Sequence, residues 1–204
     1  APPGAVFAFE GVVTRCRGRY TRMQDSTAGI TIYHPSGPLF TDVAQRRLQA
    51  GNKLRVFARV SHRRSLALVD GDGLVGYEIR TKGYYYSIPI QRCSLADIAV
   101  NGESYESECV WIGDIRILTP ETVFRANTAY DITDPSDNTG RVHLAVGDAT
   151  DSEYAGAWIW SHAVDRFEGI VSQDSDDPAS GYQLVLIRAG DILDEDEFVD
   201  SAPS

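Results

Sequence analysis

Arginine and aromatic residues are interleaved along the first third of the chain, where the hydrophobic pattern predicts β-strands. On the predicted strand at residues 53–61, one face carries Arg55, Phe57 and Arg59, because successive side chains of a strand point to opposite faces. Cationic groups along a groove, with flat rings on which bases stack, are the chemistry that holds single-stranded nucleic acid. Guanidinium groups serve both purposes, since they pair with phosphate and also stack on bases.

Further arginines and tyrosines extend this pattern to the first three predicted strands and to a tip between later strands. The candidate nucleic-acid-binding residues are Arg15, Arg17, Arg19, Tyr20, Arg22, Tyr33, Arg55, Phe57, Arg59, His62, Arg63 and Arg64. The alternative interpretation is a solvated basic face, with Phe57 and Tyr20 packed beneath a neighbouring segment. In that case the same residues bind no ligand.

The sequence contains no recognisable catalytic motif. The His-Glu-x-x-His and Gly-x-Ser-x-Gly patterns and the phosphate-binding glycine loop are absent. Ser161, His162 and Asp165 lie close together in the sequence, but a catalytic triad needs side chains that converge. Neighbours on one strand face opposite sides instead. We therefore predict that the chain is not an enzyme and has no cofactor.

Neither the acidic clusters nor the cysteines have the spacing of metal ligands. Residues 134–140 and 174–177 are rich in aspartate, but they lack the pattern of a calcium-binding loop. Cys16, Cys93 and Cys109 show no Cys-x-x-Cys spacing, and three thiols cannot all pair within one chain. We predict no metal site and buried, unpaired cysteines. A Cys93–Cys109 bridge in an exported protein is the alternative.

The formal net charge of −10 conceals a sharp division between the two halves. Residues 1–100 contain 14 Lys and Arg against 7 Asp and Glu, whereas residues 101–204 contain 5 against 22. A basic half is a candidate binder of polyanions, and the alternative is that the two halves attract each other. Only two of the basic residues are lysines, and Asp outnumbers Glu, a composition typical of surfaces adapted to high salt. A genomic bias toward arginine codons is the alternative explanation for the scarcity of lysine.

No apolar stretch approaches the roughly 20 residues that cross a bilayer, so we predict no membrane span. Residues 1–4 lack the basic region of a signal peptide. A signal is therefore either absent or already removed.

Two stretches of similar pattern follow one another along the chain. Each begins with a long strand that contains a glycine, Gly11 in residues 6–16 and Gly113 in residues 107–118. The first continues with two strands, a short helix at residues 40–48 and further strands, the order of a five-stranded OB barrel. We predict a mainly β protein of two tandem five-stranded OB-like barrels, with a short helix in the first. Their bounds are 5–82 for a basic barrel, 83–103 for a connector, 104–193 for an acidic barrel and 194–204 for an acidic tail.

Residues 20–32 resemble the hairpin of strands 2 and 3 in nucleic-acid-binding OB domains. Residues 88–98, 103–110 and 167–192 resemble the connector, the second barrel's start and its closing strands in tandem OB-fold domains of secreted bacterial nuclease-associated proteins, which are linked to endonuclease/exonuclease/phosphatase domains. The resemblance implies an accessory module, exported to the periplasm or beyond, with a catalytic domain of the parent polypeptide as its partner. No catalytic domain of that kind is recognisable in the sequence.

Two functions therefore follow as expectations. The first is a non-catalytic module that binds single-stranded nucleic acid through the basic first barrel. The second is a structural or protein-interaction module, in which the oppositely charged barrels dock on each other or on a partner domain.

Overall fold

The computed structural model describes residues 5–63, 66–81, 86–135, 142–176, 180–188 and 191–193. It contains two seven-stranded sheets, one in each half of the chain. The prediction of a mainly β protein is confirmed. Arg64 and the tail at residues 194–204 lie outside the described residues.

The first half folds around a long, strongly paired first strand. Its strands are β1 (Phe7–Arg17), β2 (Tyr20–Gln24), β3 (Gly29–Tyr33), β4 (Lys53–Ala58), β5 (Ser61–Arg63), β6 (Leu66–Val69) and β7 (Leu74–Ile79). They pair in the order β5-β6-β3-β2-β1-β4-β7, and only β3 and β6 are parallel. Strand β1 pairs with β4 through its first part and with β2 through its second part.

The core of the first half lies beneath β4 and a short helix. Leu54, Val56 and Ala58 are fully buried, as their alternation with polar residues predicts. Helix α1 (Gly37–Ala44) begins three residues before the predicted start. Pro38 lies in its first turn, where a missing backbone N–H leaves no hydrogen bond unmade.

The second half forms a closed barrel. Its strands are β8 (Gln91–Arg92), β9 (Cys109–Leu118), β10 (Thr128–Thr133), β11 (His143–Val146), β12 (Val164–Gln173), β13 (Tyr182–Leu186) and β14 (Ile192–Leu193). Strands β9, β10, β11, β13 and β12 pair in that order, and β12 pairs with β9 to complete the ring. Its core includes Ile112, Phe167 and Leu184. Helix α2 (Leu95–Asn101) starts with a capping box of Ser94 and Asp97.

The two halves share one pairing order, but only the second is closed. In the second half, the continuous strand β12 pairs with β9 along one part and with β13 along the other. In the first half the same role is divided between β4, which pairs with β1, and β5, which pairs with β6. The pairing is interrupted at residues 59–60, next to a register shift between Phe57 and Ala58. The expectation of two closed barrels is therefore met only in the second half.

All three cysteines are free thiols. Cys93 and Cys109 are buried, and Cys16 is half-buried. The alternative of a Cys93–Cys109 bridge is not observed. Burial raises the pKa of Cys109 to about 11 and that of Cys93 to about 12, so both thiols stay protonated at neutral pH.

Candidate functional site

Strands β1, β2 and β3 bring five of the candidate residues to one face. Arg15 lies opposite Arg22 in the β1–β2 pairing, and Arg17 lies opposite Tyr20. Tyr20 in turn lies opposite Tyr33 of β3. We call this surface, which also includes Gln24 and Thr31, the docking face. The second half of the chain lies against it.

Arg15 lies at the centre of this contact and is almost fully buried, with 1% of its surface exposed. Its Nε donates a hydrogen bond to Asp191 Oδ1 at 2.9 Å, and its Nη2 donates to Glu168 Oε2 at 3.1 Å. Asp191 also accepts hydrogen bonds from the backbone N–H groups of Ile187 and Arg188. Both carboxylates come from the acidic half, so a buried ionic cluster joins the two halves.

Two more of the candidate arginines pair with acidic residues at the edge of the contact. Arg17 Nη1 donates to Glu153 at 2.7 Å. Arg19 donates to Asp151 through its Nε at 2.9 Å and to Asp148 through its Nη2 at 2.5 Å. The hydrogen bond to Asp151 raises the pKa of Arg19. These guanidinium groups therefore already have anionic partners within the chain.

Glycines and uncharged polar groups complete the contact. The side-chain amide of Gln24 donates to Pro89 O at 2.7 Å and accepts from the backbone N–H of Cys109 at 2.7 Å. The hydroxyls of Thr31 and Ser107 are 2.8 Å apart. A Cβ on Gly29 would lie 2.5 Å from the backbone carbon of Ser107, so only glycine permits this approach. The contact is thus built from matched hydrogen-bonding groups as well as from charge.

A cleft of about 390 Å³ remains open between the halves. Tyr20, Arg22 and Arg63 line it from the first half, and Asn127, Gln183 and Asp174 are among the residues that line it from the second half. The Tyr20 and Tyr33 rings lie 5.1 Å apart. The guanidinium carbon of Arg22 is 5.0 Å from the Tyr20 ring centre, and that of Arg63 is 5.8 Å from the Tyr33 ring centre. Four of the predicted binding residues therefore form stacked arginine–tyrosine pairs, of which Tyr20, Arg22 and Arg63 line the cleft and Tyr33 lies beside Tyr20.

Arg22 differs from the other arginines of the docking face. It is 7% exposed, and within the described residues no carboxylate lies within ion-pairing distance of it. Burial lowers the pKa of Arg22 to about 10. It therefore remains protonated at neutral pH as a buried cation stacked on Tyr20.

The other predicted patch lies on β4 and is separate from the cleft. Arg55 stacks on the Phe57 ring at 5.0 Å, as the interleaved pattern predicts. In the sheet, however, Arg55 lies between Glu10 of β1 and Glu78 of β7. Those carboxylates pair with Lys53 and Arg80, both at 2.9 Å. The charges on this patch are therefore largely balanced, whereas Arg59 and His62 lie exposed beyond it.

The sequence pattern missed the acidic residues that bind the arginines. Glu168 and Asp191 lie 153 and 176 residues from Arg15. Asp148, Asp151 and Glu153 occupy a loop between β11 and β12. The charge division between the halves was the only signal of this pairing, and it identifies no individual residue.

The described part of the chain contains no group of three or more metal-ligating side chains. Among the described helices, none is long and apolar enough to span a membrane. The sequence matches no protein-family model, and no curated protein is significantly similar to it.

Proposed function

We propose that the chain is a non-catalytic structural or protein-interaction module, formed by two OB-type halves that dock through opposite charges. The observation that supports this most is the burial of Arg15 between Glu168 and Asp191. Removing one member of a buried ion pair leaves an uncompensated charge, so such a cluster favours one arrangement of its parts. The docked pair, rather than either half, is then the functional unit.

The placement of the other arginines supports the same proposal. Carboxylates of the second half occupy the positions next to Arg15, Arg17 and Arg19 that phosphates of a bound strand would take. A polyanion would have to displace these groups, and the buried pairs of Arg15 among them are screened little by salt. The first half's basic face therefore serves to hold the second half.

Small-angle X-ray scattering of the intact chain tests this proposal. We expect the radius of gyration to stay constant between about 0.1 and 1 M salt, since the central cluster is buried. Arg15→Glu would place three carboxylates together and should enlarge the particle. Arg17→Glu is the matched control, because its pair with Glu153 lies at the solvent-exposed edge. An Arg15→Glu particle that is folded and as compact as the parent would contradict the docking proposal.

A second candidate function is the binding of single-stranded nucleic acid at the cleft. It is supported by the stacked arginine–tyrosine pairs at the cleft, where Tyr20, Arg22 and Arg63 line the space and Tyr33 lies beside Tyr20. Aromatic rings that stack with bases contribute about 1–3 kcal/mol per base. In this proposal, nucleic acid enters the cleft between the docked halves and does not displace the carboxylates that pair with Arg15, Arg17 and Arg19.

Fluorescence anisotropy of labelled single-stranded oligonucleotides across a salt series tests this second candidate. The logarithm of affinity should fall with the logarithm of salt by about 0.7 per phosphate contacted. Tyr33→Ala should weaken binding about tenfold, as expected from the loss of one stacking contact. Arg80→Ala is the control, because Arg80 pairs with Glu78 away from the cleft. No saturable signal at low salt would exclude nucleic acid as the ligand.

The resemblance to secreted nuclease-associated proteins bears on where either candidate function would operate. From this resemblance we propose that the chain is an exported accessory module that works beside a catalytic domain of the parent polypeptide. Co-purification of such a domain with the docked chain, and its loss with Arg15→Glu, would support this setting. A catalytic domain that binds the variant equally well would show that docking is not required for the partner.

A further inference from the structure

Arg22 is a buried cation that forms no ion pair within the described residues, and Asp151 and Asp191 attract it only from beyond ion-pairing distance. Arg15, Arg17 and Arg19 each form an ion pair with at least one carboxylate of the second half. Arg22 forms none within the described residues, and its guanidinium stacks on Tyr20 instead. A buried charge without a partner is costly. An anion supplied from outside would compensate the charge on Arg22.

The space for such an anion lies beside Arg22. The cleft that Arg22 lines has a volume of about 390 Å³, within the range of about 300–1,000 Å³ that small-molecule sites occupy. It lies between the two halves and is lined by apolar as well as polar side chains, such as Leu68, Val146 and Gln183. These features are typical of a preformed ligand site.

The charges that line the cleft favour an anion. Three guanidinium groups, of Arg19, Arg22 and Arg63, face two carboxylates, of Asp151 and Asp174. Asp151 accepts hydrogen bonds from the backbone N–H and the side chain of Arg19, so much of its charge is compensated. Asp174 is the second carboxylate, and it belongs to the opposite wall. The balance leaves Arg22 and Arg63 as the cations available to a ligand.

We propose that the cleft binds a phosphate group through Arg22, with Arg63 as a second cation at its mouth. The planar fork of a guanidinium matches phosphate oxygens with two parallel hydrogen bonds. The Tyr20 ring stacks on the guanidinium of Arg22 and fixes its plane. In this proposal the adjacent Tyr33 ring stacks on a base attached to the phosphate. The ligand class is therefore a phosphate ester small enough for the cleft, such as a nucleotide or the phosphorylated end of an oligonucleotide. This inference deepens the second candidate function and requires the halves to be docked.

Thermal unfolding of the intact chain in a series of phosphate concentrations, with chloride at matched ionic strength, tests the inference. A ligand that binds only the folded state raises Tm in a saturable manner. We expect this rise for the parent chain and at least a tenfold weaker apparent affinity for Arg22→Met. Without phosphate, Arg22→Met should unfold at the same temperature or higher, because it removes a buried unpaired charge. Arg92→Met is the matched control: Arg92 also stacks on a ring, Trp111 at 4.6 Å, but lies outside the cleft.

A second variant, Arg22→Lys, allows the inference to be tested if Arg22→Met fails to fold. Arg22→Lys keeps the charge and loses the planar fork, so phosphate should bind several-fold more weakly. Broadening of the ³¹P resonance by the parent chain, and less broadening by Arg22→Lys, gives the same answer without unfolding. A parent chain that responds to phosphate no more than to chloride would overturn the inference. So would equal phosphate affinities of the parent and the Arg22 variants.

Three probes separate the possible sources of the phosphate. A nucleoside 5′-monophosphate that binds more tightly than inorganic phosphate supports an attached base on Tyr33. An oligonucleotide with a 5′-phosphate that binds better than its 5′-hydroxyl form supports recognition of a strand end, and equal binding contradicts it. If inorganic phosphate binds through Arg22 while no oligonucleotide binds, the nucleic-acid function fails and the phosphate site stands. If oligonucleotides bind but the Arg22 variants do not weaken them, the phosphate site fails instead.

Discussion

The two halves share one order of strands, yet they differ in how the sheet ends and in how their charges are used. The second half closes because β12 is a single ten-residue strand that reaches both of its neighbours. The first half divides this role between β4 and β5, so its sheet stays open at residues 59–60. The sheet of the acidic half therefore closes into a barrel. The sheet of the basic half stays open, and the acidic half covers one of its faces. Two halves with the same order of strands therefore differ in whether the sheet closes and in the charge that each brings to the contact.

The largest expected effect distinguishes docking from simple proximity of the halves. Arg15→Ala removes the buried cation that Glu168 and Asp191 share, and leaves each carboxylate only its more exposed arginine, Arg166 or Arg188. Removing one partner of a buried pair typically costs about 3–5 kcal/mol, and we expect a loss of that size in the free energy of unfolding. Urea titration followed by tryptophan fluorescence measures it. A loss below about 1 kcal/mol, the value of an exposed pair, would show that the cluster does not hold the halves together.

Matched core substitutions test whether the open and the closed half unfold together. Leu54 on β4 and Leu184 on β13 are both fully buried. Replacing either with Ala should cost about 2–5 kcal/mol. If the halves form one cooperative unit, each variant shifts a single calorimetric transition. Two separate transitions, with each substitution moving only one of them, would show that the halves are stable independently.

Buried His34 makes the first half sensitive to acid. Its Nε2 lies 2.8 Å from the Thr21 hydroxyl, and burial lowers the pKa of His34 to about 4. The unfolded chain, with a histidine pKa near 6.5, binds a proton that the folded chain excludes. Stability is therefore complete above pH 6.5 and falls as the pH drops towards 4, by up to about 3 kcal/mol.

Chemical denaturation of parent and variant across this pH range measures the contribution of His34. The pH dependence of His34→Gln should be flatter than that of the parent between about pH 6.5 and 4. His162→Gln is the control in the second half, because the His162 side chain is exposed. Identical slopes for the parent and His34→Gln would remove His34 as the source of the acid sensitivity.

The strand elements were predictable because their signals are local. The alternation of Leu54, Val56 and Ala58 with polar residues predicted the buried face of β4. The same alternation continued through residues 59–61 and gave no sign of the interruption there. The Gly-Asp-Gly sequence of residues 71–73 is typical of a hairpin turn, but β6 pairs with β3 and β5, and β7 pairs with β4. Pairing partners depend on distant contacts that a local pattern does not contain.

The candidate site was predictable in its residue types but not in its surroundings. Strand alternation placed Tyr20 and Arg22 on one face of β2, and the structure adds that Tyr33 of β3 lies opposite Tyr20. Whether an arginine there meets solvent, a ligand or a carboxylate depends on residues more than a hundred positions away. The burial of Arg15, and the lack of an ion-pair partner for Arg22 among the described residues, therefore emerge only in three dimensions.

The smallest expected change in the free energy of unfolding comes from Arg17, at the edge of the contact between the halves. Arg17 and Glu153 form an ion pair of 2.7 Å, and each side chain remains about one-third exposed. Exposed pairs contribute about 0–1 kcal/mol and are screened by salt. Arg17→Ala should therefore reduce the free energy of unfolding by less than about 1 kcal/mol at low ionic strength, and by nothing measurable at about 1 M salt. Urea titrations at the two salt concentrations test this. A loss that persists at high salt would extend the energetically important part of the docking face from Arg15 to its rim.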